Sequence, residues 1–441
     1  MNKEFMFEKS LAYNEKLKQY LPYGNHYNFR YLGKNRECHF VKGYKSRLID
    51  LDGNEILDLN CKFGANILGH CNERFSNALK DAIDTLIATN LSDLDYEVCQ
   101  KLCYCIPSAE NVRFSLSGTE AIQNALRLAR AYTGKNRFLR FTGNYHGNAD
   151  NILGGVVENN DYPIPVDRQE GNATKGRAID CLESQSFVIS WNDIDILREC
   201  IEKYHSEIAA VITEPISING GGVFPKKGYL EEMKKLCLQY NIVLIFDEVI
   251  TGFRVGLGGA QRELGVLPDI TILGKALGGG IPISAIVGKR SIMELYDSLE
   301  VTHGGTFNGY RLGMVAVSSV IDILSDSNEL AYSNMNKCCI TMRDIVKIMA
   351  DKYDLAILLK GPDSCFVLSY YDEKKSLTRN MLYQTIITDE IFKYGVYLSN
   401  SNRFYGNISL NDSDVELFEE RIDNAFQAAA KKIHGSSFCV K

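Results

Sequence analysis

From about residue 110 to residue 287 the chain alternates short β-type runs with helix-patterned segments, which is the signature of a parallel sheet wrapped by helices. The candidate strands are Val112–Ser115, Phe138–Phe141, Ala209–Ile212, Ile242–Phe246, Ile270–Leu273 and Ser284–Val287. Between the first two, the segment Glu120 to Tyr132 places Ile122, Ala125, Leu126 and Ala129 on one face, and Gly134 can close the helix. Upstream, Arg47 to Leu59 reads as two strands around an Asp52-Gly53-Asn54 turn. After about residue 315 the pattern changes to long helices with a few strands, among them Gly395–Leu398 and Asn407–Leu410. That stretch ends in a helix over Asp412 to Lys432, as in an α+β lobe. The expected organisation is an α/β chain with an N-terminal segment, 1–75, a large domain, 76–315, and a small α+β domain, 316–441.

With 441 residues, 45% hydrophobic and 24% charged, the chain is long enough to bury a large core and a smaller lobe. The net charge of -6 and the lack of a concentrated Lys/Arg stretch argue against a nucleic-acid partner. The strongest apolar run, Ile242–Phe246, stops at Asp247 and Glu248, far short of the ~20 residues that cross a bilayer, so no membrane span is expected. Residues Met1 to Lys9 mix both charges with aromatics and lack the order of a secretory signal, so the expected location is cytoplasmic. The thirteen cysteines, scattered from Cys38 to Cys439, read as reduced thiols. Cys99, Cys103 and Cys105 have neither CxxC spacing nor a nearby histidine; they read as buried helix thiols, and no metal site is expected.

In open α/β sheets ligands bind beyond the carboxyl ends of the strands, so the residues directly after each apolar run carry the functional reading. After the first strand, Ser117-Gly118-Thr119-Glu120-Ala121 opens a helix whose free N–H groups can hold a phosphate. The same pattern also caps ordinary helices. After the second strand, Tyr145 in Gly143-Asn144-Tyr145-His146-Gly147 can lie on a flat ring, or can be a tyrosine packed in a simple turn. Glu214-Pro215 ends the third strand and is followed by the loop Asn219-Gly220-Gly221-Gly222. Asp247-Glu248 supplies a carboxylate for a cation or a protonated nitrogen, and the absence of a GxxxxGK[ST] loop argues against a magnesium-nucleotide role. Lys275, after Gly274 and before Ala276 to Gly280, is either a partly desolvated amine able to form a Schiff base or an exposed surface lysine.

A phosphate site, a stacking aromatic, an acid for a ring nitrogen and a desolvated lysine at the strand ends of one sheet fit a pyridine aldehyde carrying a phosphate. The order SGTEA, YHG, EP, FDEVITGFR, LGKALGGG and HGGTFN closely resembles the class III pyridoxal-phosphate aminotransferases, nearest their glutamate-1-semialdehyde aminomutase-like branch, from about Pro22 to the helix after Asp412. The resemblance implies fold type I, the aspartate aminotransferase-like architecture, with pyridoxal 5′-phosphate as cofactor. It implies that Lys275 holds the cofactor as a Schiff base and that Asp247 accepts a hydrogen bond from the pyridine nitrogen. Val249 and Tyr145 then pack on the two ring faces, Ser117, Gly118 and Thr119 sit at the phosphate, and Thr306 arrives from the second subunit of a homodimer. Asn219 and Glu214 fall near the phenolic oxygen, and His146 supports Tyr145.

For the substrate, the segment Pro22 to Arg30 matches the length of the loop whose terminal arginine grips a carboxylate in the aminomutase-like branch, so Arg30 is the candidate clamp; its alternative is a surface arginine. Phe63 stands where that branch often has tryptophan, and Arg403-Phe404-Tyr405 stands where the aminomutases have a glutamate. The expected reaction is therefore transamination from an amino acid donor, L-glutamate by default, to an aldehyde or ketone bearing an anionic group, with Lys275 moving the proton. Its rivals are the intramolecular aminomutase reaction and a non-catalytic cofactor-binding or scaffold protein. Intact Lys275, Asp247 and Thr306 argue against the latter.

Overall fold

The computed structural model describes residues 4–26, 38–153, 186–399 and 402–435. The chain divides into two compact units, Arg74–Asp326 and the union of Met1–Glu73 with Ser327–Lys441.

The unit Arg74–Asp326 is built on a seven-stranded sheet. Its strands are β4 (Asn111–Ser115), β5 (Arg137–Phe141), β6 (Ser186–Ile189), β7 (Ile208–Thr213), β8 (Val243–Asp247), β9 (Ile270–Leu273) and β10 (Ser284–Gly288), in the order β4-β10-β9-β8-β7-β5-β6. Strands β5 to β9 pair in parallel, whereas β10 runs antiparallel to both β9 and β4. The central strands are apolar throughout because both faces are covered. Ala210, Ile212, Val243, Ile245, Ile270 and Ile272 pack against the helix Gly118–Thr133 through its Ala121, Ile122, Ala125 and Ala129. The alternate residues Val211, Leu244 and Phe246 meet the helices Ile194–Tyr204 and Tyr229–Gln239 on the other face through Leu197, Ile201, Leu230 and Met233. The helix Gly118–Thr133 begins in a capping box formed by Ser117 and Glu120 and stops at Gly134, which takes φ 71°.

The other unit contains a four-stranded sheet, ordered β1 (Phe40–Tyr44), β2 (Arg47–Asp50), β3 (Glu55–Asp58) and β13 (Val396–Tyr397). The hairpin read around Asp52-Gly53-Asn54 is present as antiparallel β2 and β3, with Gly53 at φ 89°. A separate antiparallel pair joins β11 (Ile357–Lys360) to β12 (Val367–Tyr370). The helices Leu377–Lys393 and Asp412–His434 complete this unit. Asn407–Leu410, read as a strand, is a turn: the Asn407 side chain accepts from the Ser409 N–H at 3.1 Å, and Leu410 N–H donates to the Asn407 carbonyl. An Asx turn of this kind withdraws the backbone from any ladder. No helix among the described residues is long and apolar enough to cross a membrane.

Candidate active site

The register of the sheet gathers the candidate residues. Thr213 of β7 pairs with Phe246 of β8, and Asp247 pairs with Ile272 of β9, so Glu214, Asp247 and Lys275 follow three adjacent strands at their carboxyl ends. Side chains alternate along a strand, and Asp247 continues the face of Val243 and Ile245 while Glu248 turns to the opposite face. This separates two adjacent acids that residue type alone leaves equivalent.

Asp247 is buried and doubly held. Its Oδ2 lies 2.7 Å from His146 Nδ1, and its Oδ1 accepts from the Val249 N–H at 3.1 Å. His146 thus braces Asp247, a contact beyond the support of Tyr145 expected from sequence. The Tyr145 backbone N–H donates to Glu214 Oε1 at 2.9 Å. The other imidazole nitrogen of His146, Nε2, is buried with no hydrogen-bond partner among the described residues.

Glu214 also accepts from Asn219, through the backbone N–H at 3.0 Å and the side-chain amide at 2.7 Å. Burial, and then the charge of Asp247, push the Glu214 carboxyl above its ordinary range; His146 and the N–H donors oppose this. Behind it Asn144 Oδ1 accepts from the Glu214 N–H at 2.9 Å and from the Thr213 hydroxyl at 3.1 Å, and Trp191 Nε1 donates to that hydroxyl at 2.9 Å. Asn144 and Trp191 were not singled out from sequence, although the adjacency of Asn144 to Tyr145 was the available signal.

The Gly118 and Thr119 N–H groups open a four-turn helix and have no partner among the described residues. A Cβ on Gly118 would sit 3.2 Å from Val249 Cγ2, which places the phosphate-type helix start directly beside the Val249 side chain. Gly274, immediately before Lys275, approaches the same valine, at 3.4 Å. A Cβ on Gly147 would stand 2.6 Å from Thr119 Oγ1, so Thr119 and the Tyr145-His146-Gly147 turn are in close contact. Lys275 is half-buried and takes φ 47° at the head of a single 3-10 turn, Lys275–Gly278. A lysine held in the left-handed region directly after a buried strand is a built feature of the site.

Ser117, Gly118, Thr119, Tyr145, His146, Glu214, Asn219, Asp247, Val249 and Lys275 are therefore linked through these strand ends and contacts. Thr306 is not: it lies exposed between Gly305 and Phe307. Phe63 belongs to the other unit, half-exposed on a left-handed turn at φ 57°. Arg30 lies outside the described residues.

Sequence reasoning passed over Glu248. Wholly buried, it accepts from the Thr251 hydroxyl at 2.8 Å, the Ala260 N–H at 2.5 Å, and both the N–H and side-chain amide of Gln261 at 3.0 and 2.9 Å. Those bonds anchor the loop that begins with Val249. An open helix start, a valine wall, a braced carboxylate, an unshared buried imidazole nitrogen and a strand-end lysine fit pyridoxal phosphate, a flat ring with a phosphate at one side and a basic nitrogen at another.

Comparison with known proteins agrees. The family model "Aminotransferase class-III" matches residues 32–355. A glutamate-1-semialdehyde 2,1-aminomutase of Chlorobium phaeobacteroides is 36% identical over 397 residues, covering 88% of each chain. An omega-transaminase of Sphaerobacter thermophilus superposes with a TM-score of 0.85 at 27% identity, covering 95% of this chain and 97% of that one. A glutamate-1-semialdehyde-aminomutase of Pseudomonas aeruginosa PAO1 shares the fold, with a TM-score of 0.84 at 20% identity over 96% and 95% of the two chains.

Proposed function

The chain belongs to the class III aminotransferase family of fold type I pyridoxal-phosphate enzymes, and we infer that it transfers an amino group from an amino acid donor to an aldehyde or ketone acceptor. The observation that carries the reading is the convergence of Lys275, the His146–Asp247 pair and the open helix start at Gly118 on the carboxyl edge of one sheet. When bound, pyridoxal phosphate supplies an electron sink that stabilises negative charge developing beside the transferred amino group.

The remaining work falls to the protein. Gly118 and Thr119 offer N–H groups, and Ser117 the helix cap, to the phosphate. Val249 and Tyr145 enclose the ring. Asp247, kept in place by His146 and the Val249 N–H, holds a proton on the ring nitrogen. Asn219 and Glu214 face the phenolic oxygen, and their mutual hydrogen bond at 2.7 Å fixes both. Lys275 binds the cofactor and moves the proton in each half of the reaction as general base and acid. Thr306 completes the phosphate site of a second copy, so the working form is a homodimer. The thirteen cysteines, scattered along a long chain, favour a reducing, cytoplasmic setting.

L-glutamate is the proposed donor, and the acceptor carries an anionic group met by Arg30 and bounded by Phe63. The aminomutase reaction is the second reading, favoured by the 36% identical relative of that name. Against it stands Arg403, a buried cation where the aminomutases place an acid. The absorption spectrum of the holoprotein with and without L-glutamate decides. Bleaching of the yellow band with release of 2-oxoglutarate, lost in Lys275→Ala, supports intermolecular transfer. An unchanged band with glutamate but turnover of glutamate-1-semialdehyde supports the aminomutase. A protein that never takes up pyridoxal phosphate refutes both.

A further inference from the structure

The segment carrying Thr306 is a short turn, in which the Asn308 N–H donates to the Gly305 carbonyl at 3.1 Å. Gly304 and Gly305 precede the threonine, its side chain is exposed, and its hydroxyl has no partner among the described residues. Adjacent glycines leave a backbone unusually free, so a threonine that must reach a fixed point needs anchors on either side.

Two anchors are present. Arg127 Nη1 donates to the Thr302 carbonyl at 2.7 Å. His303 Nε2 lies 3.2 Å from Ser115 Oγ and 3.3 Å from Asn308 Nδ2. The asparagine amide is a donor and the serine hydroxyl can be one, so Nε2 acts as acceptor and the imidazole is neutral with its proton on Nδ1. Burial, with Arg113 and Arg127 nearby, moves the His303 pKa down and maintains that form, with Glu120 opposing. The Tyr296 ring packs against the imidazole with centroids 5.3 Å apart.

Ser115 is the last residue of β4, two before the helix cap Ser117, and Ser284 of the neighbouring β10 donates to the Ser117 carbonyl at 2.8 Å. We propose that His303 is a positioning residue for the cofactor phosphate: it ties the Gly304-Gly305-Thr306 segment to the end of β4, so that Thr306 is presented to the phosphate bound by a second copy of the chain. One strand end then fixes both the protein's own phosphate-binding helix start and the threonine it lends to its partner. The inference rests on the reading above that Thr306 completes the partner's site.

The test follows pyridoxal phosphate release, by absorbance, from the full-length holoprotein after transfer to cofactor-free buffer. Thr306→Ala releases faster than wild type, and His303→Ala releases about two- to tenfold faster, the worth of one hydrogen bond. His303→Gln, whose amide oxygen can accept in place of Nε2, stays within about twofold of wild type. Ser115→Ala cuts the same bond from the other side and follows His303→Ala, which keeps the test intact if the histidine variant fails to fold. The Thr306→Ala/His303→Ala double variant releases no faster than Thr306→Ala, because the histidine acts through the threonine. A silent Thr306→Ala overturns the underlying reading of that residue. An accelerated Thr306→Ala with a silent His303→Ala and Ser115→Ala, or a double variant whose effects multiply, overturns the proposal and leaves that reading standing.

Discussion

His146 Nδ1 sits 2.7 Å from Asp247 Oδ2 in a region where both side chains are almost wholly excluded from solvent. In the role proposed for it, holding a proton on a ring nitrogen, the carboxylate has one oxygen committed to the imidazole and the other to the Val249 N–H, so its orientation is fixed before any ligand arrives. A hydrogen bond to a charged group contributes about 1.5–3 kcal/mol, so His146→Ala lowers kcat by roughly 10- to 100-fold with little change in donor KM. Asp247→Asn, which removes the charge itself, costs at least about 100-fold. Steady-state kinetics on both variants check the order; an unaffected His146→Ala would show that Asp247 needs no brace.

Glu248 is the structural counterpart of its neighbour. Its four donors, from Thr251, Ala260 and Gln261, lose their acceptor in Glu248→Ala, and Gly259 packs so closely that a Cβ there would meet the carboxylate. Buried donors left unsatisfied cost about 1–3 kcal/mol each, so the variant is destabilised by about 3 kcal/mol or more. Chemical denaturation of the holoprotein measures it, and a loss below about 1 kcal/mol would mean that water replaces the carboxylate.

Much of this arrangement is legible in the sequence, for a physical reason. Strands buried on both faces must be apolar along their length, so the polar residue that ends each one, Glu214, Asp247 or the lysine after Gly274, stands out as a break in the pattern. What the pattern lacks is lost. Strand β6, Ser186–Ile189, is a half-exposed edge strand of four residues and carries no such run. The antiparallel course of β10 leaves no mark because direction is set by connections and not by composition. Asn407–Leu410 has strand-like residues, yet the Asn407 side chain captures its own backbone. The His303–Ser115 bond joins residues 188 positions apart, which no local pattern records.

The raised pKa of Glu214 gives a sign to the pH dependence of stability. Burial and the Asp247 charge disfavour its ionised form in the folded protein relative to its ordinary value of 4.5. The favourable contribution is complete below that value and is lost as pH rises through the higher folded pKa. Glu214→Gln cannot titrate, so the Tm difference between wild type and variant, at saturating pyridoxal phosphate, shifts in favour of the variant as pH increases. The offset from altered hydrogen bonding is constant with pH and does not hide the slope. A difference that stays flat from about pH 5 to about pH 9 would show that Glu214 titrates normally.

The turn at Phe63 makes the last prediction, because it stores strain in three residues and requires glycine at a fourth. Cys61, Lys62 and Phe63 take φ 46°, 54° and 57°, and Gly64 takes 85°, a left-handed turn built from three non-glycine residues. Each such residue costs about 1–2 kcal/mol, and the turn persists because Asp58, paired with His70 at 2.8 Å, accepts from the Asn60 and Cys61 N–H groups, while Asn60 Oδ1 accepts from Phe63 at 2.8 Å. Lys62→Gly removes one strained Cβ and gives back about half the gain as unfolded-state entropy, so it stabilises the protein by about 0.5–1 kcal/mol. Gly64→Ala has the opposite sign: its Cβ would stand 2.7 Å from the Tyr405 ring at a φ that alanine resists, and the protein loses about 2 kcal/mol or more. Denaturant midpoints for the two variants measured side by side read the difference. If Lys62→Gly is neutral or destabilising, the turn is not strained, and the conformation of Phe63 owes nothing to energy drawn from the surrounding hydrogen bonds.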